Sequence, residues 1–508
     1  VAGSLLLGVD VGTFSSKAVL CSPEGDVLAT ETIEHDLSIP RPGWAEQDAD
    51  AVWWHDCAAL IRRLTSGKFT EEDIAAVAVS AIGPCLLPVD AQGRALRPGI
   101  LYGIDTRATV EIEELTNLIG EDALLESGGM VLTSQSIAPK IRWLRKKEPD
   151  IDARATGLMT STSYLVLKLT GEAVIDHHTA SYFNPLYDRH RQGWSDRWAD
   201  DVCDPARLPR ILWPDEIAGV VTAAAARETG LRAGTPVTTG TIDAAAEAVS
   251  VGVADVGDMM VMYGTTMFFI QVAAQPIPDR RMWSTAYLFE GLHDIAGGMS
   301  TTGALTRWFR DTFAPDLVDA ERGGGPNAYE VLAAEAAGTA PGADGVICLP
   351  YWSGERTPIN DPEARGVLAG LTLAHTRGHC YRAVLEGTGF GVRHNLEVMA
   401  GMGATPRRLV AVGGGARNPV WMQIVSDISG VPQVLPNQTI GACYGDAFLA
   451  GLASGVLPGR SALSEWVTVR EVIEPRAEHA ALYGELYALY RELQTQTEGV
   501  QHSLSRLS

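Results

Sequence analysis

Asp10, Gly12, Thr13, Ser15, Ser16 and Lys17 crowd one short turn between two apolar runs, Leu5-Leu6-Leu7-Gly8-Val9 and Ala18-Val19-Leu20. Together these residue types can receive a phosphorylated ligand. An acid such as Asp10 can hold a hydrated Mg²⁺. Gly12 lets backbone N–H groups approach phosphate oxygens closely. Thr13, Ser15 and Ser16 add hydroxyl donors, and Lys17 adds a point charge. Without a ligand the same turn is a plain structural hairpin, and the local residues leave both readings open.

A second copy of the plan lies far along the chain. Residues 259–263 are apolar, Gly264-Thr265-Thr266 forms a turn, and residues 267–272 are largely apolar again. Repetition of this kind predicts two half-molecules of like plan, facing each other across a cleft. Asp243 follows a strand-like stretch and stands where a helix of small residues begins. A carboxylate there can take a proton from a substrate hydroxyl as it attacks a γ-phosphoryl group. It can equally be a helix N-cap.

Gly413-Gly414-Gly415-Ala416 joins a strand pattern to a helix pattern. It reads as an ordinary turn or as a flat backbone surface for an adenine or ribose. The spacing is not G-x-G-x-x-G, and no Walker A pattern exists, so a P-loop fold is excluded and a nicotinamide oxidoreductase disfavoured. Asp105 and Arg107, two apart at a strand end, point the same way. They can bind sugar hydroxyls or pair with each other on a solvated surface. Trp44 can stack on a sugar face or simply pack.

These residues need elements to hold them. Short strands are expected over residues 27–33, 74–81 and 236–239. Helical spacing marks 51–64, with Asp50 as the N-cap, and also 137–145 and 161–169. Further on, 376–399 reads as a long helix, Asn418 caps a helix to about 428, 442–452 is a small-residue helix, and 477–493 is an amphipathic helix that closes the fold. Residues 194–214 look irregular.

A chain of 508 residues should form at least two domains. They are expected at 1–248 and 249–508, the change lying near 244–257. The formal charge of −22 argues against nucleic acid and against an anionic membrane surface as partners. No apolar run reaches membrane-spanning length. The first seven residues are too short and lack the basic residues of a secretory signal. Seven cysteines, none in a Cys-x-x-Cys pair, read as reduced and mostly buried, which suits a cytoplasmic protein. A zinc site is not expected, and His177-His178 is taken as a surface or packing feature.

Taken in order, the segments resemble the FGGY carbohydrate kinases of the actin and hexokinase superfamily. The likeness rests on Asp10-Val11-Gly12-Thr13 with Lys17, Trp44-Ala45-Glu46-Gln47-Asp48, Asp105-Thr106-Arg107, Asp243 and Gly264-Thr265-Thr266. It continues through residues 349–358, which include Ser353-Gly354-Glu355-Arg356-Thr357-Pro358, then 364–371, and closes with Gly413-Gly414-Gly415-Ala416-Arg417-Asn418. Within the family the segments look most like xylulokinases.

The resemblance implies an α/β fold of two ribonuclease-H-like domains around a central cleft, with ATP and Mg²⁺ as cofactors and a sugar or polyol as substrate. It implies that Asp10 organises Mg²⁺ and that Asp243 is the catalytic base. Gly12, Thr13 and Lys17 would meet the phosphates from one domain, and Gly264, Thr265 and Thr266 from the other. Gly303 matches a nucleotide-side glycine, and Gly414, Gly415 and Asn418 would line the adenosine pocket. Gly83, Pro84, Asp105 and Arg107 would face the sugar. The substrate implied is a ketopentose, D-xylulose first. Ribulose, L-xylulose, gluconate, a tetrulose or tetritol, or a sensor of the same fold without transfer, are the alternatives. Related kinases often form homodimers, and no segment marks an interface. One departure bears on substrate: xylulokinases carry Gly-Gln-Met-His-Gly where this chain has Ala81-Ile82-Gly83-Pro84-Cys85. Losing an imidazole donor should change which sugars are accepted.

Overall fold

Two α/β units, each built on a mixed sheet, make up the computed structural model, which describes residues 3–507. The first unit holds Val1–Ala254, Ala273–Asp294 and Ile440–Thr468, and the second holds Asp255–Val272, Ile295–Thr439 and Val469–Ser508. The units are thus not contiguous in sequence. The first unit's main segment ends inside the 244–257 region, but two later segments fold with it.

The sheet of the first unit runs in the order Ile217–Val220, Pro236–Thr238, Ile74–Ala81, Leu5–Val11, Ser15–Cys21, Val27–Glu34. Leu5–Val11 pairs antiparallel with Ser15–Cys21 and parallel with Ile74–Ala81. Its near-continuous apolar run suits a strand covered on both faces. One cover is the helix Ala442–Ala453, whose approach depends on glycine. A Cβ on Gly8 would lie 1.8 Å from the Cys443 carbonyl oxygen, and one on Gly445 would lie 2.1 Å from that of Ala246. Small residues therefore let this helix touch both the strand and the helix Asp243–Ser250.

The other cover is the helix His55–Thr65, entered through a wide π-turned segment, Ala49–Trp54. Its cap is Asp48, whose carboxylate accepts from Asp50 N at 2.9 Å and Ala51 N at 2.7 Å. The expected cap, Asp50, instead accepts from the Tyr164 hydroxyl at 2.6 Å. The hydrophobic spacing misplaced the start because Trp53 and Trp54 are buried before the regular helix begins.

The second unit repeats the strand plan. Asp258–Tyr263 pairs antiparallel with Met267–Ala273 and parallel with Arg408–Val412, which leads on to Gln433–Pro436 and Val469–Ile473. Across the helices, Arg382 of Arg377–Gly401 donates to Glu386 at 2.8 Å, and Tyr483 of Ala480–Ser505 donates to the same carboxylate at 2.9 Å. The last helix continues well past 493 because its polar end finds partners: Gln501 is buried and accepts from Arg365 N at 2.8 Å. Among the described residues no helix is long and apolar enough to cross a membrane.

The close approach at Gly8 yields a direct expectation. Gly8→Val should lower stability in urea unfolding by about 3 kcal/mol or more, since strand and helix backbones would have to part. Gly67→Ala, where a Cβ meets nothing within 4 Å, should stay within about 0.5 kcal/mol of the parent.

Candidate functional site

A row of polar residues crosses the first unit's sheet. Asp10 lies opposite Lys17 on the antiparallel partner and beside Ser80 on the parallel neighbour. Thr241, on the short strand Thr241–Ile242, pairs with Ser80 from the other side. Cross-strand partners in register share a face. The helix Asp243–Ser250 begins directly after this strand, so Asp243 stands at the row's end and Glu247 one helical turn on. Asp243 is not an N-cap. It is the first helical residue, and its Oδ1 accepts from Ala244 N at 2.7 Å, while Oδ2 has no hydrogen-bond partner among the described residues.

Four carboxyls gather here against one lysine. Asp10, Asp243 and Glu247 keep partial access to solvent, and Asp446, on Ala442–Ala453, is wholly buried. Burial pushes Asp10 up to about 7, opposed by the Ser80 hydroxyl and Lys17. Burial also lifts Asp243 well above the usual carboxylate range, and the charge of Asp10 adds to it. Glu247 is pushed up to about 7 by burial and then by Asp10. Asp446 is lifted by burial, opposed by its bond to Ser80.

Ser80 makes the crowding explicit. Its Oγ lies 2.6 Å from Asp446 Oδ2 and 3.2 Å from Asp10 Oδ1, and it has one proton for both. The Ser80 hydroxyl can donate to only one of these carboxyls at a time, which adds to the cost of ionising both. The second oxygen of Asp446, Oδ1, is buried without a partner. Lys17 makes no hydrogen bond or ion pair with a described residue. This donor set fits a divalent cation: hard oxygen ligands, excess negative charge and an orphaned buried oxygen.

Of these, sequence reasoning missed Ser80, Glu247 and Asp446. Glu247 was signalled by its spacing of four from Asp243. Asp446 was signalled as the lone acid in an apolar helix. Ser80 needed the register. Gly12 and Thr13 close the turn beside the row. Gly12 N donates to Ser15 O at 3.0 Å, and a Cβ on Gly12 would sit 2.9 Å from that oxygen.

Gly83 packs against Ile242, the residue before Asp243: its Cβ would fall 2.3 Å from Ile242 Cγ2. Pro84 and Cys85 are buried, and the Cys85 thiol lies 3.2 Å from Ile82 O. Pro84 offers no side-chain donor here, and the Cys85 thiol is turned to Ile82 O. Asp105 and Arg107 are not a solvated pair. Both side chains are fully buried, Arg107 Nη2 donates to Asp105 Oδ2 at 2.6 Å, and Nη1 donates to Glu46 at 2.8 Å. Asp105 also accepts from Ala45 N at 2.7 Å, and Arg107 lies 4.0 Å over the Trp44 ring. The pair thus braces its loop, and Trp44 packs against Arg107 and Trp143. Nearby, Lys140 is buried with a single acceptor, Ser134 O, and burial brings its amine down to about 8. His177 and His178 are packing residues, held by Tyr187 and by Ala286 O.

The second unit contains a cavity of about 1210 Å³, lined by Gly264, Thr265, Gly303, Gly414, Gly415 and Asn418 among others. Glycine is required where the helix Gly303–Phe313 starts on the hairpin turn. Gly303 N donates to Gly264 O at 3.0 Å, Ala304 N donates to Thr265 O at 2.9 Å, and a Cβ on Gly303 would fall 2.3 Å from Gly264 O. Gly415 abuts Trp421, whereas a Cβ on Gly414 would meet open space, so Gly414 is bare floor. Asn418 Oδ1 caps the helix Pro419–Ser429 through Val420 N and Trp421 N, both at 3.1 Å. Thr266 is exposed and does not line the cavity. Aromatic walls around a glycine floor suit a flat heterocycle.

Comparison with known proteins places the whole chain in one family. The family model described as the FGGY family of carbohydrate kinases, N-terminal domain, matches residues 5–250, and its C-terminal counterpart matches 259–454. The chain is 30% identical over 499 residues to the xylulose kinase of Escherichia coli (strain K12), covering 97% of this chain and 99% of that protein. It is 27% identical over 469 residues to the gluconokinase of Bacillus subtilis (strain 168), covering 91% and 90%. The crystal structure of a xylulose kinase from Rhodospirillum rubrum matches it with a TM-score of 0.91 at 31% identity, covering 98% of this chain and 100% of that one. The chain belongs to the FGGY family of carbohydrate kinases.

Proposed function

We propose that this kinase transfers the γ-phosphoryl group of ATP to a primary hydroxyl of a ketopentose, with D-xylulose the first substrate to test. The reading rests above all on Asp243, a carboxyl at the end of the Asp10 row with one oxygen that has no partner among the described residues. The xylulose kinases among the relatives support the choice of sugar.

In this reading Asp243 accepts the proton of the attacking hydroxyl. Burial, with the Asp10 charge, raises its affinity for a proton, the direction a general base needs. In the first unit, Lys17, which makes no hydrogen bond or ion pair with a described residue, and the backbone N–H groups at Gly12 and Thr13 would offer contacts to phosphate. In the second unit taken by itself, Gly264, Thr265 and Thr266 would offer donors to phosphate, and Gly303, Gly414, Gly415 and Asn418 a surface for an adenosine. Charge building on the phosphates would be drawn off by Mg²⁺ held through Asp10. Gly83 and Pro84 form one wall of the sugar site, and Asp105 with Arg107 fixes the loop behind it. With Pro84 and Cys85 in place of an imidazole, the sugar gains no hydrogen bond from that wall. Free cysteines, six of the seven buried, suit a cytoplasmic setting.

Product analysis with D-xylulose, ribulose, L-xylulose, gluconate, tetruloses and tetritols tests the substrate. Highest kcat/KM on D-xylulose is expected, and a preference of about tenfold or more for another sugar would replace it. Asp243→Asn should lower kcat by at least about 100-fold while ATP affinity changes little. Undiminished turnover would remove Asp243 as base, and no transfer by the parent on any sugar would favour the sensor.

A third expectation concerns protons. Asp10 and Glu247 titrate near neutral pH without metal. A cation takes the carboxylate form, so Mg²⁺ binding at neutral pH should release protons. Above pH about 9 both groups are already ionised and the release should vanish. Calorimetry in buffers of differing ionisation enthalpy reads this directly, and uptake, or release that persists at high pH, would contradict it.

A further inference from the structure

A second cluster of ligating groups lies in the second unit, remote in sequence from the Asp10 row and from the residues lining the cavity. Glu498 and His502 are four apart on Ala480–Ser505 and so share one helix face. Asp361 comes from the turn after Thr357-Pro358, where Glu355 N donates to Asp361 O at 2.8 Å and Asp361 N donates back at 2.9 Å. One ligand atom from each of the three side chains lies within 4.8 Å of the others.

Each group is either fixed or idle. Asp361 Oδ1 accepts from Glu363 N at 2.9 Å and Ala364 N at 3.1 Å, which orients the carboxylate. Its Oδ2 is left for His502 Nε2, 2.8 Å away. Glu498 makes no hydrogen bond or ion pair with a described residue, although it stands beside this pair. The helix end is anchored independently of the three groups. Gln501 accepts from Arg365 N, Arg365 donates to Ser505, and Arg506 pairs with Glu363 at 3.5 Å. Helix and turn are thus held together before any ion arrives.

We propose that Asp361, Glu498 and His502 bind a divalent transition ion of the Zn²⁺ class, clamping the C-terminal helix to the Glu355–Asp361 turn. One imidazole nitrogen with two carboxylate oxygens suits Zn²⁺ or Mn²⁺, whereas Mg²⁺ prefers oxygen alone. Two carboxylates and a neutral imidazole balance the charge of the ion. Metal bonds of about 2.0–2.2 Å need ligand atoms about 3.3–3.6 Å apart, within reach of side-chain rotation here. A fourth position stays open to water. The backbone donors on Asp361 act as the supporting shell that such ligands require.

The test uses the full chain stripped of metal. Zn²⁺ and Co²⁺ are titrated into the parent, Glu498→Gln and His502→Gln, and read by calorimetry, thermal unfolding and the Co²⁺ visible spectrum. Asp10→Asn, run in parallel, separates binding at the acidic row. The expected result is one site retained in Asp10→Asn, a spectrum of nitrogen–oxygen ligation, a raised unfolding temperature, and affinity at least about tenfold weaker in both cluster variants. Glu498 is exposed, so Glu498→Gln should fold normally. Equal affinity in the parent and both cluster variants, or binding lost only with Asp10→Asn, would leave His502 and Asp361 as a hydrogen-bonded pair and overturn the proposal.

Discussion

Burial of four carboxyls side by side is the constraint on which the site of the first unit depends. Asp10, Asp243, Glu247 and Asp446 sit where water is scarce, and Lys17 is the one cation in the row. Such a group is costly to keep ionised. It persists because the strands and helices that carry it are fixed by other forces. Gly8 and Gly445 let Ala442–Ala453 pack hard against strand and helix, and that packing drives Asp446 under the sheet beside Ser80. The resulting proton affinity is what a base and a cation site both need: one carboxyl able to accept a proton, another eager for a positive partner.

The second unit solves a different problem with the same strand plan. Its hairpin turn carries no acid. Instead it supports a helix start, Gly303 on Gly264, and opens into a cavity floored by Gly414. Backbone surface replaces side-chain charge. One strand arrangement thus carries a cluster of carboxyls in one unit and a glycine-floored cavity in the other, with the difference carried by a few side chains at the turns.

Much of this was legible in the sequence, for identifiable reasons. The two hairpins follow from apolar runs broken by Gly-Thr turns. The cap at Asn418 follows from local chemistry. Asp105 and Arg107 show where such reading stops. Their spacing suggested a solvated pair, but burial is decided by Glu46 and Trp44, some sixty residues away. Ser80 became visible only through the register of Ile74–Ala81 with Leu5–Val11. Asp48 displaced Asp50 as a cap because two buried tryptophans pull the chain inward before the helix regularises. The last helix outran its apolar pattern because Gln501 found a backbone donor on a distant turn. Local patterns specify local structure; partners brought from afar do not announce themselves.

The central claim is that a carboxylate at Asp243 receives a proton and never the phosphoryl group. The direct test is stereochemical. ATP made chiral at its γ-phosphorus with oxygen isotopes is turned over with the preferred sugar, and the configuration of the product phosphate is determined. Single in-line transfer to the hydroxyl gives inversion, which this account predicts. Retention would mean two successive transfers through a phosphorylated side chain, and the assignment of Asp243 as a base would be wrong.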